Sequence, residues 1–517
     1  MNGETNQLKI NPWIIAIAVI LPTFIEVLDT TVVSVALNTI AGNLGSTVSQ
    51  ATWIQTGYLI SNAIILPATA WFSGMFGRKR FLLACIGIFT LASFACGAAP
   101  NLTCLIIASI VQGAGGGALQ PISQAILMES FPPAKRGAAM AAYVLGVVLA
   151  PVLGPVLGGW LTENYSWRWI FYINIPCGLA AMWMVKQFIF DPEYIRNLKP
   201  ARLDGFGFLV LGIWLGTMQT VLNKGQDEDW FNSSYICWLS VISVVAFIAF
   251  VVRQFRAREP LADLRVFADR NFLCASVLVS IVFLLLYGIM NLQPLMAQGL
   301  MGYTAYVSGL AQASRGIGLV CFTPVVGLLI GKVDNRLLIG PGMLLVAVAA
   351  LMDGNFNLDM STHAFFWPNF IQGMGMALTM VPLMTVALAT ITNQQMGNAT
   401  GLYALVRNLA GSIGIAVAIA MQARGALRHQ AYLASHLTPY DLPYQNAVQA
   451  GQAALTPAMG AQAGPGTLGA IYQSLILHSN MLGFVDEYRW LAMVCLLSVP
   501  LVLLFKKGDG NREVMLH

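Results

Sequence analysis

Two carboxylates, Glu26 and Asp29, stand inside residues 13–37, a stretch otherwise apolar or hydroxyl-bearing. They are three residues apart, so on a helix both leave the same face. An ionised Asp at the centre of a membrane helix costs about 2.5–3.5 kcal/mol on an insertion scale. Burial disfavours the charged form of a carboxyl, and a second carboxylate nearby adds to that. Such a pair suits reversible protonation near neutral pH. The alternative is an acid permanently neutralised by a buried cation. None of His363, His429, His436, His478 and His517 falls clearly mid-span, which leaves the carboxylates as proton carriers. Two cations fall inside apolar segments, Arg315 and Arg407, and are candidate counter-charges. Arg407 sits in a Gly-rich stretch that favours local packing, whereas Arg315 is open between the two roles.

Other chemistry is absent from the pattern. There is no GxxxxGK[ST] nucleotide loop, no HExxH and no Cys/His cluster with metal-ligand spacing. The eight cysteines lie in or beside apolar runs and read as small buried hydrophobes. No basic patch is interleaved with aromatics, so nucleic acid is not an expected partner. The expectation is a protein that is not an enzyme, holds no metal or cofactor and draws energy from a proton gradient.

The elements that position the acids follow from composition. Of 517 residues, 57% are hydrophobic and only 9% charged, against roughly 25% charged in a soluble chain. This marks a polytopic, all-α membrane protein. A span needs about 20 mostly apolar residues. Candidates fall at 13–37, 51–72, 81–99, 102–128, 138–161, 168–189, 204–223, 233–252, 271–298, 304–330, 337–352, 363–390, 398–422 and 488–506, fourteen in all. The start, MNGETNQLKINP, lacks the charged n-region and cleavage site of a signal peptide, so the first run reads as a retained span. Apart from Arg315 and Arg407, only Arg168, Lys224, Arg424, Arg428 and Arg489 fall on one side of these spans. Every other Lys and Arg falls on the side of the termini, which predicts both termini in the cytoplasm.

The chain also repeats itself. IVQGAGGGAL (110–119) aligns with FIQGMGMALT (370–379), and RGAAMAAYVL (136–145) with MGNATGLYAL (396–405), at a common offset near 260 residues. GMFGRKR (74–80) and GKVDNR (331–336) lie at nearly that offset. Helices 7 and 8 are left unmatched, giving six spans, two inserted, and six more. Parallel repeats with a site between them at the membrane midplane are a transporter architecture. The expected division is 1–190 for the first half, 191–265 for the inserted pair with its linkers, and 266–517 for the second half, which includes an external segment, 426–486. Within that segment 468–484 is amphipathic enough to be a helix; the alternative is a disordered loop.

Three further features bear on function. APVLGPVLGG (150–159) combines small residues that let helices approach closely with two prolines that can bend a helix, a plausible sliding surface between halves or ordinary tight packing. GRKR (77–80) is either plain cytoplasmic charge or a turn that locks one conformation through charge pairs. Gln112, Gln120, Asn291, Gln293 and Gln372 are polar candidates for a substrate cavity, and each is equally a candidate interhelical hydrogen bond.

LDTTVVSVAL (28–37), APVLGPVLGG (150–159), SWRWIFYINIPCG (166–178), PLADLRVFADRNF (260–272) and GLYALVRNLAGSIG (401–414) resemble the fourteen-span drug:proton antiporters of the major facilitator superfamily over essentially the whole chain. IAGNLGSTVSQATW (40–53), SFPPAKR (130–136) and the long segment before the last helix look most like the EmrB type. The resemblance implies a major facilitator fold and a proton-coupled multidrug efflux antiporter of the bacterial inner membrane. It implies work with an EmrA-type membrane-fusion adaptor and a TolC-type outer-membrane channel. Carried over by position, Asp29 is the family's helix 1 acid, Gly154, Pro155, Gly158 and Gly159 are its antiporter motif, and Arg407 matches the Arg of the helix 13 block. The chain departs at Gly74, where the family often has Asp, at Asn38 and Arg315, where it often has Pro, and at Ser109, where it often has Arg. The expected cargo is hydrophobic or amphipathic drugs and toxic compounds; the alternative is one metabolite class, such as a fatty acid or siderophore.

Overall fold

The computed structural model describes residues 11–132, 135–191, 204–257, 260–330, 332–392 and 395–505. Lys9, Arg196, Lys199, Arg202, Arg258, Lys506, Lys507 and Arg512 of the charge-asymmetry argument, part of SFPPAKR and most of the linker after residue 190 lie outside them.

Among the described residues fourteen helices are long and apolar enough to cross a membrane, and no strand is present. Numbered along the chain, α1 is Pro12–Asn43, α2 Trp53–Phe76, α3 Arg78–Ala98, α4 Leu102–Ser130, α5 Arg136–Asn164, α6 Trp169–Phe188 and α7 Gly205–Lys224. The series continues with α8 Ser234–Arg256, α9 Arg270–Gly299, α10 Ala305–Leu329, α11 Arg336–Asp353, α12 Phe366–Ala389, α13 Met396–Ser435 and α14 Ala463–Ser498. Several boundaries have local causes. Asn11 caps α1 through Trp13 N (3.0 Å), Asp269 caps α9 through Phe272 N (2.8 Å), and Asp204 caps α7 through Gly207 N (3.0 Å). Asp204 also pairs with Arg253 of α8 at 3.0 Å, which ties the inserted pair together.

Glycine decides how closely the helices approach, and the repeat appears in that packing. A Cβ at Gly113 of α4 would lie 2.2 Å from the Tyr58 carbonyl oxygen of α2; one at Gly373 of α12 would lie 1.9 Å from the Arg315 carbonyl oxygen of α10. Gly115 and Gly375, two residues on in each motif, face backbone of α3 and α11 in the same way. Matched glycines thus admit matched neighbours in the two halves.

α5 is held on two sides. Gly146, Gly154 and Gly158 face α1, where added Cβ atoms would meet Ile20, Thr31 and Val32 within 3 Å. Gly159 is buried beside them. Pro155 faces Gly309 of α10. The glycine face of the 150–159 block therefore packs inside the first half, and the surface shared with the second half carries Pro155, Ala141 and Gly137 instead. In the 77–80 turn, Gly77 adopts φ +83, open to glycine without strain. In this turn Arg78 pairs with Glu129 of α4 at 2.5 Å, and Lys79 N donates to Asp191, just past α6, at 2.8 Å.

In the expected external segment 426–486, the stretch 468–484 is helical, as its amphipathic pattern predicts, and the helical structure extends beyond it. α13 and α14 run on past the apolar stretches, to Ser435 and from Ala463, and the helix Leu442–Met459 joins them. Close backbone contact between Gly425 and Gly483 and the His429–Asp486 pair (2.7 Å) hold the extensions together. The last helix begins 25 residues before the expected 488, and its first turns rest on the joining helix, where Gly451 packs against Thr467.

Candidate functional site

A cavity of about 640 Å³ lies between the halves. It is lined by the C-terminal half of α1, the first half of α2, the second half of α9 and the first turns of α10, with Pro151 and Pro155 of α5 and Arg407 of α13. All of these lie toward the end of the bundle where α1 finishes. At the opposite end the halves meet. Gly137 touches Ile330, Gly327 touches Ala141, and a Cβ at Gly401 would lie 2.8 Å from the Leu66 carbonyl oxygen. The cavity therefore belongs to a conformation closed on the side of the described chain ends. Its volume falls within the roughly 300–1,000 Å³ of drug-sized ligand sites. Phe283, Leu286, Met290, Met376 and Met380 give it an apolar, adaptable wall.

Glu26 and Asp29 both line this cavity, about 21 and 25 Å along α1 from Pro12. Each is almost fully buried, at 4% and 3% exposure. The Glu26 carboxylate accepts from Gln120 Nε2 of α4 (2.6 Å) and from Asn62 Nδ2 (3.0 Å) and the Tyr58 hydroxyl (3.5 Å) of α2. Gly116 leaves the room: a Cβ there would sit 2.8 Å from the Tyr58 hydroxyl and 3.2 Å from Glu26 Cγ. Asp29 accepts from Asn174 Nδ2 of α6 at 2.6 Å, and Asn174 also donates to Ser93 Oγ of α3 at 3.0 Å. Ser93 in turn donates to the Phe171 carbonyl (2.9 Å), while Arg168 donates to the Gly97 and Ala99 carbonyls (2.8 and 2.7 Å). The WRWIFYIN block thus clasps the end of α3 and delivers Asn174 to the acid.

Neither acid forms an ion pair within 4 Å among the described residues. Arg407 reaches Glu26 only indirectly: its guanidinium donates to Gln120 Oε1 while Gln120 Nε2 donates to Glu26. It also lies over the Phe283 ring at 5.2 Å. Arg407 is therefore more than local packing, since its bond crosses from α13 to α4 and joins the halves. Arg315 lines the cavity but points its donors at Gln293 Oε1 (2.6 Å) and Asn369 Oδ1 (2.5 Å), within the second half.

The five amide candidates separate. Gln112, Gln120 and Asn291 line the cavity. Gln112 Oε1 accepts from Cys96 Sγ at 3.4 Å, and its side chain also lies beside the Asp29 carboxylate. Gln293 and Gln372 lie outside the lining. Gln293 is turned between α10 and α11, where Arg315 and Asp353 hold both ends of its amide. Gln372 is fully buried with no hydrogen-bond partner for either amide atom. Their helix faces decide this, and a single Gln in an apolar run does not reveal its face. Asn62, Asn174 and Asp353 were not singled out from sequence. Asn174 sits inside a recognisable block; Asp353 reads as the polar end of a span.

A membrane bundle of two packed halves around a central cavity with buried acids defines a transporter. The family model described as Major Facilitator Superfamily matches residues 19–415, and the chain belongs to that family, one of transporters and not enzymes. "Fatty acid resistance protein FarB" of Neisseria gonorrhoeae is 34% identical over 95% of this chain and 96% of its own. "Multidrug export protein EmrB" of Escherichia coli (strain K12) is 36% identical over 83% of each chain. The human organic anion transporter MFSD10 (TETRAN) has the same fold, with a TM-score of 0.59 at 13% identity, covering 96% of this chain and all of that one. The protein is thus a multi-pass membrane transporter with homologues in multidrug export, consistent with the bacterial inner membrane.

Proposed function

We propose that the chain is a proton-coupled antiporter that exports hydrophobic or amphipathic compounds by alternating access. The observation that carries this reading is the pair Glu26 and Asp29, buried at the wall of a drug-sized cavity and bonded to amides and a hydroxyl, with no guanidinium bonded directly to either. Amide donors support a carboxylate without holding it charged as firmly as a bidentate arginine would. In the cycle, the acids gain protons when the cavity opens outward, cargo leaves, and the protons depart when it opens inward. A proton moving inward through 100 mV supplies about 2.3 kcal/mol before any pH gradient is counted. The charge asymmetry supports cytoplasmic termini, and with that orientation the present conformation is the outward-open one. We also infer a tripartite assembly with a membrane-fusion adaptor and an outer-membrane channel, as the resemblance to the EmrB type implies; relatives of that name cover most of the chain.

A second reading, export of one anionic amphiphile class such as fatty acids, is favoured by two arginines at the cavity wall that donate to amide oxygens, and by the relative named for fatty acid resistance. The test is efflux from liposomes holding the full chain with an imposed pH gradient, using ethidium and dodecanoate as separate probes. Wild type is compared with Asp29→Asn and Glu26→Gln. Gradient-driven efflux lost in Asp29→Asn, with probe binding retained, is the expected result. Unchanged efflux in both variants overturns the coupling role. Transport of dodecanoate alone selects the second reading.

A further inference from the structure

The chain Glu26–Gln120–Arg407 has a counterpart that the coupling reading leaves unused. Asp353, at the end of α11 and 1% exposed, accepts from Gln293 Nε2 through both carboxylate oxygens at 3.2 Å. Gln293 Oε1 accepts from Arg315 at 2.6 Å, and Arg315 lines the cavity. Each chain therefore runs carboxylate, glutamine amide, guanidinium. The first crosses between halves; the second lies wholly in the second half, on α9, α10 and α11.

We propose that Asp353 is a third proton-carrying acid, beyond Glu26 and Asp29, whose charge state is relayed through Gln293 to Arg315 at the cavity wall. This rests on the proton-coupled reading above. The amide bridge is what makes the site reversible. A carboxylate locked directly to a guanidinium loses that bond's charge assistance when protonated. Here Gln293 Nε2 keeps a carbonyl acceptor in either state, and Gln293 Oε1 stays on Arg315, so the scaffold survives a change of charge. What changes is the compensation of Arg315. With Asp353 ionised, the Arg315 charge is offset from behind the wall; with Asp353 protonated, it faces the cavity uncompensated and favours an anionic occupant or repels a cationic one.

The surrounding groups are consistent with a titrating site. From α14, Tyr488 lies near Asp353 and Arg315, and its buried hydroxyl has no hydrogen-bond partner. Glu487, beside it, is 1% exposed with neither oxygen hydrogen-bonded. The stem of Arg489 packs against Gly354. α12 contributes Asn369, an acceptor for Arg315, and has no charged side chain. The alternative role for Asp353 is a permanently ionised structural counter-ion.

Infrared titration of the full chain in lipid separates the two without any cargo. The protonated-carboxyl C=O band is followed from alkaline to acid pH in wild type, Asp29→Asn, Glu26→Gln, Asp353→Asn and Arg315→Gln. The expected result is a share of the band lost in Asp353→Asn and additional to the shares of Asp29 and Glu26, with its midpoint moved in Arg315→Gln. A band unchanged in Asp353→Asn overturns the proposal, and a midpoint unmoved in Arg315→Gln overturns the relay. If Asp353→Asn does not assemble, Asp353→Glu keeps the carboxyl and reports through a changed C=O frequency. Failure of liposome efflux for every probe counts against the coupling reading alone, because this titration is independent of transport.

Discussion

Alternating access requires α2 and α13 to part on the side of the chain ends, and their separation there can be measured. A Cβ at Gly397 of α13 would lie 3.8 Å from Ala70 Cβ of α2. Disulfides hold their Cβ atoms about 3.8 Å apart and cannot form once the Cα atoms are beyond about 7 Å. The pair Ala70→Cys with Gly397→Cys is therefore in bridging range in the conformation described, and any opening of this face by more than a few ångströms takes it out of range. The background carries Ser in place of the exposed Cys104 and Cys321 to limit side reactions. Mild oxidant is expected to cross-link the pair, seen by peptide mass spectrometry, and efflux in liposomes should fall to the uncross-linked fraction. Reductant should restore it. Full cross-linking with undiminished efflux would refute the opening of this face during transport, and no cross-linking in any condition would refute the contact itself.

Three other outcomes follow from single contacts. Gly154→Ala places a methyl 2.1 Å from Thr31 Oγ1 of α1; overpacking of about 1–3 kcal/mol should lower the melting temperature of the purified protein, and an unchanged melt would mean α1 and α5 are not packed this way. Asn174→Ala removes the 2.6 Å bond to Asp29. A hydrogen bond to a charged group contributes about 1.5–3 kcal/mol, so the proton concentration for half-maximal efflux should shift by roughly tenfold or more; a profile superimposable on wild type would remove Asn174 from the coupling site. Replacing 437–461 by a short Gly/Ser linker removes a helix that docks on α14 through Gly451 and Thr467. Liposome efflux should persist while resistance in cells is lost, and a parallel loss of both would assign the segment to the transporter's own fold and not to its partners.

How far the sequence reached is clearest at the spans and at the acids. Spans were legible because a helix facing lipid must be apolar for about 20 residues whatever its neighbours. The expected 51–72 and 337–352 fall close to Trp53–Phe76 and Arg336–Asp353. Glu26 and Asp29 were legible for the complementary reason, that a carboxylate in such a segment needs a purpose. The amphipathic pattern of 468–484 pointed to the helix that α14 forms there, whereas the continuation of α13 to Ser435 was not legible, because outside the apolar layer it is stabilised by packing on α14.

Sequence alone determined the class, the number of crossings, the repeat and the first pair of acids, since each depends on local composition or on self-similarity. Tertiary structure decided the partners: Gln120 between Glu26 and Arg407, Asn174 on Asp29, and Asp353 behind Gln293 and Arg315. Arg407 and Gln120 are 287 residues apart, and which of several buried amides meets which charge depends on helix rotation and crossing distance. Glycine-controlled packing sets those quantities, and hydropathy carries no record of them.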